Sequence, residues 1–293
     1  MKLAFDIGGT TIRRACFEGS GIVDSGIVFN DTHSTKDGNL KEHLEALITE
    51  SIGAYAIDFI GVSFAGQVTN GVIASAPNID LGALAGSSFP LWIRDRFNLP
   101  AAINNDLKCA ALAEAALRPE CRSLFVVYIG TGIGGAFIED GKLLSGAKNF
   151  AGEIGHIPFE SAPFACGCGG ASCLELSTSG SGVAKLCAHF GINAATLSDL
   201  VPLVGGDPNA NYIYERFFRG VTHAVQTVAA LFNPETIVLG GGVAVKNPVI
   251  LNHAQHALKS AFKPASKANI ELSTLGDNAN LIGAAQLQNA AEF

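Results

Sequence analysis

The stretch KLAFDIGGT, residues 2–10, is a mostly apolar run that ends in a carboxylate, two glycines and a hydroxyl. We interpret residues 2–7 as a buried strand and the two glycines as a turn, after which residues 15–17 return as a strand. The same order recurs in LFVVYIGTGIGGAFI, residues 124–138. Two copies of strand, Gly-rich hairpin and strand predict duplicated halves, because a solenoid would need more copies.

The composition is that of a large folded chain. It has 293 residues, of which 48% are hydrophobic and 15% charged, so we expect one large or two medium domains. The net charge of -7 argues against nucleic-acid or anionic-membrane partners. Charges at Lys2 and Asp6 come too early for a signal peptide, and the uncharged stretch 123–138 is Gly-rich and shorter than about 18 residues. We therefore expect a cytoplasmic protein without a membrane segment.

The predicted fold class is α/β, with mixed sheets flanked by helices. We expect an N-terminal domain at 1–110 and a C-terminal domain at 111–280 that carries a cysteine-rich loop, 156–173. A terminal helix near 280–293 is expected to pack back on the first domain. Apolar periodicity and breakers predict strands at 59–64, 101–104 and 236–239 and helices at 40–52, 107–117 and 215–232.

Three Gly-rich turns are candidates for binding phosphate, because glycines let backbone N–H groups approach an anion. A carboxylate at the end of the first strand can also orient a hydrated Mg²⁺ ion. A single turn of this kind more often only reverses the chain, and neither the dinucleotide fingerprint nor the Walker pattern is present. The candidate residues are Asp6, Gly8, Gly9, Thr10, Thr11, Gly130, Thr131, Gly132, Gly134, Gly240 and Gly241.

Three of the seven cysteines lie within eight residues of HIPFESAPFACGCGGASC, residues 156–173. His156, Cys166, Cys168 and Cys173 offer one imidazole and three thiolates, a set suited to tetrahedral zinc. Four protein ligands leave no open position, so such a site would be structural. Buried free thiols or a redox pair are the alternatives that the residues alone leave open.

Asp106 is the candidate reacting carboxylate. It follows a predicted strand, begins a helix and has Asn105 beside it. A base for phosphoryl transfer must accept the proton of the attacking hydroxyl, which an aspartate in this place could do. Asn-Asp before an Ala-rich helix is also a frequent N-cap arrangement. The residues alone leave both interpretations open.

Taken together, the motifs make the chain resemble the ROK family of sugar kinases and repressors, within the actin-like, hexokinase-like ATPase superfamily. The motifs run in the family's order over nearly the whole chain: DIGGT (6–10), APN (76–78), NND (104–106), IGTGIGG (129–135), AGEIGH (151–156), CGCGGASCLE (166–175) and VLGGG (238–242). The resemblance implies duplicated actin-like, RNase H-like domains around a cleft, with ATP, catalytic Mg²⁺ and structural Zn²⁺.

The resemblance also implies roles for individual residues. Asp106 becomes the catalytic base, and the four-residue cysteine and histidine set becomes the zinc site. His156 could bind zinc through one ring nitrogen and a sugar hydroxyl through the other. The expected partners are a small sugar and ATP, and the expected assembly is a homodimer. The implied sugar-binding residues are Gly66, Asn78, Asn105, Asp106, Glu153, His156 and Glu175.

Three positions depart from the family pattern. Thr11 stands where the family often has lysine, and Lys108 stands where asparagine is common two residues after the catalytic aspartate. Asn149 occupies a position that is usually glycine. These departures concern substrate and nucleotide preference, since none removes a reacting group.

We expect an ATP-dependent hexose 6-kinase with glucose as its substrate, because Glu153 is typical of members that act on glucose-type sugars. N-acetylmannosamine is the alternative, followed by N-acetylglucosamine and fructose. A sugar-sensing repressor is disfavoured, since DIGGT begins at residue 6 and leaves no room for the N-terminal DNA-binding domain of ROK repressors. A sugar-binding module without turnover is also disfavoured, because both phosphate turns and Asp106 are present.

Overall fold

The computed structural model describes residues 1–29, 39–76, 78–261 and 268–290, so Pro77 of the APN motif lies outside the described residues. The chain forms two units. Unit 1 comprises Met1–Leu117, Ser145–Phe150 and residues 275–290, and unit 2 comprises Arg118–Leu144 and Ala151–Thr274. The predicted boundary at 110/111 falls within the helix Asp106–Ala116. The first segment of unit 1 includes this whole helix and ends at Leu117.

Unit 1 is built on a five-stranded mixed sheet and a small hairpin. The strand order in the sheet is β3-β2-β1-β4-β7. Strand β2 runs antiparallel to both of its neighbours, β1 and β3, whereas β4 and β7 run parallel to β1. The strands are β1 (Lys2–Ile7), β2 (Ile12–Glu18), β3 (Gly21–Phe29), β4 (Phe59–Phe64), β5 (Gln67–Thr69), β6 (Val72–Ser75) and β7 (Ala101–Asn105).

Unit 2 repeats this topology strand for strand, in the order β10-β9-β8-β11-β12. Strand β9 runs antiparallel to both of its neighbours, β8 and β10, whereas β11 and β12 run parallel to β8. The predicted duplication is therefore confirmed. The strands are β8 (Ser123–Ile129), β9 (Ile133–Glu139), β10 (Lys142–Leu143), β11 (Thr236–Gly240) and β12 (Asn269–Leu272).

The helices flank these sheets. The helix Pro208–Phe232 begins directly after its N-cap, Asp207. It is followed by Asn233, which adopts a left-handed φ of 43° and precedes Pro234. The prediction began this helix at 215 and missed the Asp-Pro start signal. The helices are α1 (Leu40–Ala54), α2 (Phe89–Phe97), α3 (Asp106–Ala116), α4 (Glu175–Thr178), α5 (Gly180–His189), α6 (Leu197–Leu200), α7 (Pro208–Phe232), α8 (Gly241–Lys246), α9 (Val249–Ala261) and α10 (Ala279–Ala290).

The alternation along β1 decides which side chains reach the site. Leu3, Phe5 and Ile7 point into the core with α1 and α2, whereas Ala4 packs on α10. Asp6, two residues after Ala4, therefore lies on the α10 face. Small residues bring α10 close, since a Cβ at Gly283 would overlap the carbonyl of Cys109 on α3.

None of the helices in the described part of the chain combines the length and the apolar character that a bilayer crossing requires.

Candidate functional site

The first Gly-rich turn joins β1 to β2 in unit 1. Gly8 donates its N–H to the carbonyl of Thr11 at 2.9 Å, which closes the turn. A Cβ at Gly9 would come 2.8 Å from the Cβ of Asn78, so only glycine allows this approach. The predicted phosphate turn and the predicted sugar-binding Asn78 are thus in direct contact. Thr10 is exposed and its hydroxyl lies 3.4 Å from that of Thr11.

Asp6 is held by side chains from three elements. Arg13, directly opposite on β2, donates from Nη2 and Nε to Oδ2 at 2.6 and 3.2 Å. Ser63 on β4 and Asn280 on α10 each donate to Oδ1 at 3.0 Å. Only 13% of the Asp6 side chain is exposed. Its oxygen chemistry suits Mg²⁺, but a metal-bound water would reach this carboxylate only by replacing one of these donors.

Asp106, Asn105 and Gly66 meet where β4 and β7 end. These parallel strands pair Phe64 with Asn105, which brings their carboxyl ends to one edge of the sheet. Asn105 caps α3 by accepting from the N–H of Leu107 at 3.0 Å. Its amide donates to the carbonyl of Gly66 at 3.2 Å. Asn105 is therefore the N-cap, and Asp106 is the first residue of the helix.

The carboxyl group of Asp106 is tuned by its surroundings. Loss of solvation is the largest cause that raises its pKa, to about 6, and the nearby charge of Asp6 acts in the same direction. The N–H of Leu107, which donates to Oδ1 at 2.9 Å, opposes the rise by stabilising the charged form. The group is therefore mostly ionised at neutral pH but basic enough to accept a proton.

The second Gly-rich turn, Gly130–Gly132 in unit 2, joins β8 to β9. Gly130 donates to the carbonyl of Gly132 at 2.9 Å, and the carbonyls of Gly130 and Thr131 accept from the start of α5 at 2.8 and 3.0 Å. Gly134 lies within β9 opposite Tyr128, outside the turn.

A pocket of about 600 Å³ opens beside this turn in unit 2. The turn after β8 contributes Thr131 to its lining, and helix α8, which follows β11 directly, contributes Gly242. Gly240 ends β11 and Gly241 begins α8, where the prediction had placed a turn. Sequence reasoning missed the rest of the lining, because these residues form no motif and come from the N-terminal ends of α5 and α6 and from α8, with residues next to them: Gly180, Ser181, Ala195, Thr196, Leu197, Ser198, Val243, Lys246 and Asn247.

Glu175 lies against the second turn. Its Oε2 accepts from the N–H of Ile133 at 3.4 Å, and a Cβ at Gly132 would come 2.6 Å from the same oxygen. Its Oε1 accepts from the thiol of Cys166 at 3.6 Å. Glu153 precedes a single 3₁₀ turn, Ile154–His156, that packs on β9. Glu153, His156 and Glu175 are thus all built around one hairpin.

His156, Cys166, Cys168 and Cys173 converge, with their ligand atoms all within 4.8 Å of one another. His156 Nδ1 lies 3.6 Å from Cys166 Sγ, and Cys168 Sγ lies 3.4 Å from Cys173 Sγ. The edges of a zinc-centred tetrahedron of sulfur and nitrogen are about 3.5–3.8 Å long, so the donor set fits the metal. The N–H of Gly170 is the largest cause that lowers the pKa of Cys168, to about 7.

Helix α7 is hydrogen-bonded to the cysteine-rich loop, residues 156–173. Arg216, with 3% of its side chain exposed, donates to the carbonyls of Glu160 and Ser161, both at 2.8 Å. It also donates to Ser177 Oγ at 2.8 Å, two residues beyond Glu175. Arg219 pairs with the Glu160 carboxylate on the surface at 2.9 Å. The buried Arg216 guanidinium thus joins the cysteine-rich loop to the helix that begins with Glu175.

One of the sequence departures, Asn149, has a physical explanation. Asn149 has a φ of 64°, a conformation that asparagine tolerates better than most residues with a Cβ. Its amide donates to Asn104 and to the carbonyl of Val68, both at 2.8 Å. Lys108 is 1% exposed on the first turn of α3.

Comparison with known proteins agrees with these motifs. The sequence profile of the ROK family matches residues 2–291. An N-acetylmannosamine kinase of Yersinia pseudotuberculosis is 33% identical over 248 residues, which cover 83% of both chains.

Solved structures agree in fold. A ROK hexokinase of Thermus thermophilus is 26% identical, with a TM-score of 0.83 over 97% of this chain and 96% of that one. A ROK family glucokinase of Streptomyces griseus, in complex with glucose and AMPPNP, shares the fold at 23% identity, with a TM-score of 0.75 over 98% of both chains. The expected actin-like α/β class and the family resemblance are both confirmed.

Proposed function

Because the chain belongs to the ROK family and is an ATP-dependent sugar kinase, we propose that it phosphorylates the 6-hydroxyl of a hexose. The observation that carries the proposal is Asp106, a carboxylate at the end of β7 whose pKa is raised to about 6. A base with this pKa is ionised at neutral pH and still accepts a proton efficiently.

In the proposed reaction, Asp106 accepts the proton of the 6-hydroxyl as its oxygen attacks the γ-phosphorus of ATP. The new O–P bond forms, the bond from the γ-phosphorus to the β,γ-bridging oxygen breaks, and ADP leaves with that oxygen. Magnesium, when bound, neutralises charge that develops on the phosphates. Asn105 fixes Asp106 at the start of α3 and offers its amide to a neighbouring sugar hydroxyl.

The proposed nucleotide-binding residues lie in both Gly-rich turns. In unit 1 they are Gly8, Gly9, Thr10 and Thr11, with Asp6 as the residue that orients hydrated Mg²⁺. In unit 2, the pocket of about 600 Å³ beside Gly130–Gly132 takes the base and ribose, for which its volume and polar lining are suitable.

Glucose is the first candidate substrate. The proposed hydroxyl partners are Asn78, Glu153, His156 and Glu175, with Gly66 beside Asn105. Each such side chain would lose a partner if the sugar lacked the corresponding hydroxyl, which makes a polar array of this kind selective. Glu153 favours glucose through the family resemblance. N-acetylmannosamine is the second candidate, because the Yersinia relative named for that activity is 33% identical.

We propose that His156, Cys166, Cys168 and Cys173 hold a structural zinc ion, since their atoms converge within 4.8 Å. Four protein ligands give the metal a positional role. Elemental analysis of the purified protein should find one zinc per chain, and Cys168→Ser should lower that content. Full zinc occupancy in the variant would remove Cys168 from the ligand set.

The test of the function is a coupled ADP-release assay. Zinc-replete protein and Mg-ATP are presented with glucose, N-acetylmannosamine, N-acetylglucosamine, mannose, fructose and allose. The proposal expects a clear maximum of kcat/KM for glucose. A maximum for N-acetylmannosamine would replace glucose by the second candidate, and no turnover with any hexose would overturn the proposal. Dimerisation and a cytoplasmic location remain predictions, the first of which sedimentation can test.

A further inference from the structure

Asn149 links two strands of unit 1 through its side-chain amide. It lies in the segment Ser145–Phe150, which belongs to unit 1 although the chain on either side of it belongs to unit 2. The amide nitrogen donates to the carbonyl of Val68 on β5 and to Oδ1 of Asn104 on β7, both at 2.8 Å. An amide nitrogen carries two N–H donors, so both are used, and two oxygen acceptors fix the orientation of the amide.

The bond to Asn104 leads to the backbone that carries the proposed base. Oδ1 of Asn104 also accepts from the backbone N–H of Asn105 at 2.9 Å. The side chain of Asn105 in turn accepts from the backbone N–H of Leu107 at 3.0 Å. A continuous series of hydrogen bonds thus runs from Asn149 to the backbone just before and just after Asp106.

The bond to Val68 leads to the segment that faces Asn105. Val68 is 2% exposed and lies two residues after Gly66, whose carbonyl accepts from the amide of Asn105 at 3.2 Å. Two side-chain amides therefore join the end of β7 to the chain at Gly66 and Val68. Without Asn149, only Asn105 of these two would remain, and its amide is also proposed to bind a sugar hydroxyl.

We infer that Asn149 is a positioning residue for phosphoryl transfer, whose amide fixes Asn104 and, through it, the backbone that carries Asn105 and Asp106. The inference rests on the proposed role of Asp106 as the base. A displacement of about 1 Å at a reacting group can lower a rate about 100-fold, so a side chain that does not touch the substrate can control turnover.

Asn149→Gly tests the inference, because Asn149 has a φ of 64°, which glycine adopts without strain. The change removes the amide and keeps the backbone conformation. We expect kcat to fall about 10- to 100-fold, as for the loss of one or two hydrogen bonds, with the KM for ATP within about twofold of wild type. Amide hydrogen exchange at Asn105 and Leu107 should become about tenfold faster.

Asn98→Gly is the matched control. Asn98 ends α2 with a φ of 53°, and within the described residues its side chain forms no hydrogen bond. The same substitution at this second left-handed asparagine should leave kcat and the exchange rates at Asn105 and Leu107 unchanged.

A double-mutant cycle with Asn104→Ala separates positioning from a general loss of stability. Because Asn149 is inferred to act through Asn104, Asn149→Gly should lower kcat no more than about twofold once residue 104 is alanine. Independent, fully additive effects would overturn the inference. Faster exchange with an unchanged kcat would also overturn it, since the amide would then be only structural.

If Asn149→Gly does not fold, Asn149→Asp decides by the same measurements, because it keeps the size, tolerates a positive φ and lacks the two donors. Hydrogen exchange needs neither sugar nor turnover. A wild-type protein that phosphorylates no hexose would therefore refute the proposed function, while the exchange rates at Asn105 and Leu107 would still decide whether Asn149 holds this backbone. Unchanged exchange in Asn149→Gly would overturn the inference.

Discussion

The two Gly-rich hairpins share a topology and differ in the charge of one cross-strand pair near the turn. In unit 1 the strands flanking the turn carry Asp6 opposite Arg13, an ion pair of 2.6 Å. In unit 2 the corresponding position carries Tyr128 opposite Gly134, which are neutral. In both hairpins this pair is the second one from the turn. The pair next to the turn is Ile7 with Ile12 in unit 1 and Ile129 with Ile133 in unit 2.

The two hairpins share their backbone structure and differ in the side chains that could take part in chemistry. The repeated strand order and the glycine turns fix the same backbone twice. The charged pair and Asp106 belong to unit 1, whereas the hairpin of unit 2 donates to Glu175, which also accepts from the thiol of Cys166. We therefore expect loss of the Asp106 carboxylate in unit 1 to lower kcat, and changes at the proposed sugar-binding residues Glu153 and Glu175 of unit 2 to raise the KM for sugar.

The largest effect is expected at Asp106. Asp106→Asn keeps the size of the side chain and removes the base, so kcat should fall about 10²- to 10⁴-fold while sugar binding persists. Glu153→Gln in unit 2 is the matched change, and it should raise the KM for sugar with kcat within a few-fold of wild type. Steady-state kinetics and sugar titration measure both. A normal kcat in Asp106→Asn would remove this residue as the base.

Arg216 should matter most for the integrity of unit 2. Arg216→Met leaves two loop carbonyls and Ser177 without their donor. Because each buried polar group left unsatisfied costs about 1–3 kcal/mol, the free energy of unfolding should fall by about 3–5 kcal/mol. The zinc content should fall and the KM for sugar should rise. Arg219→Met, on the same helix but 46% exposed, should cost about 0–1 kcal/mol. Similar denaturation midpoints for the two variants would contradict the anchoring role of Arg216.

Gly132→Ala tests whether the second hairpin positions Glu175, the carboxylate proposed to bind the sugar. The new methyl group would come 2.6 Å from Glu175 Oε2 and displace that oxygen, so the KM for sugar should rise about tenfold. At Gly130, by contrast, a Cβ would meet nothing within 4 Å. Gly130→Ala should therefore leave the KM for sugar unchanged. A rise of the same size in both variants would mean that Glu175 is not the cause.

The pH dependence should report the ionisation of Asp106. Its pKa is raised to about 6, and the base must be unprotonated, so kcat/KM should rise with pH through about 6 and fall about tenfold per unit below it. The nearby Asp6 charge contributes to this position. A profile that stays flat down to pH 4.5, in protein that circular dichroism shows to be folded, would contradict the assignment.

The sequence was most informative where one local signal determines one feature. The strand and glycine pattern predicted the duplicated hairpins, and the His156-to-Cys173 spacing predicted a convergence that the structure contains. The start of α7 was missed although Asp207-Pro208 is a local signal.

Other features depend on contacts between distant residues. The Asp6–Arg13 pair depends on strand register, and the lining of the unit 2 pocket depends on separate helices and turns that only the fold brings together. Ser63 on β4 and Asn280 on α10 both donate hydrogen bonds to Asp6. These bonds form only when β4 and α10 are in place, so no sequence spacing could indicate them.

The most direct test of the account identifies the oxygen that receives the phosphate. Wild-type protein, Mg-ATP and the preferred sugar are incubated together, and the product is examined by phosphorus–proton correlation NMR beside a reaction with the 6-deoxy form of that sugar. The account predicts phosphate on oxygen 6 and no sugar phosphate from the 6-deoxy sugar. Phosphate on another oxygen, or equal ATP consumption with the 6-deoxy sugar, would contradict it.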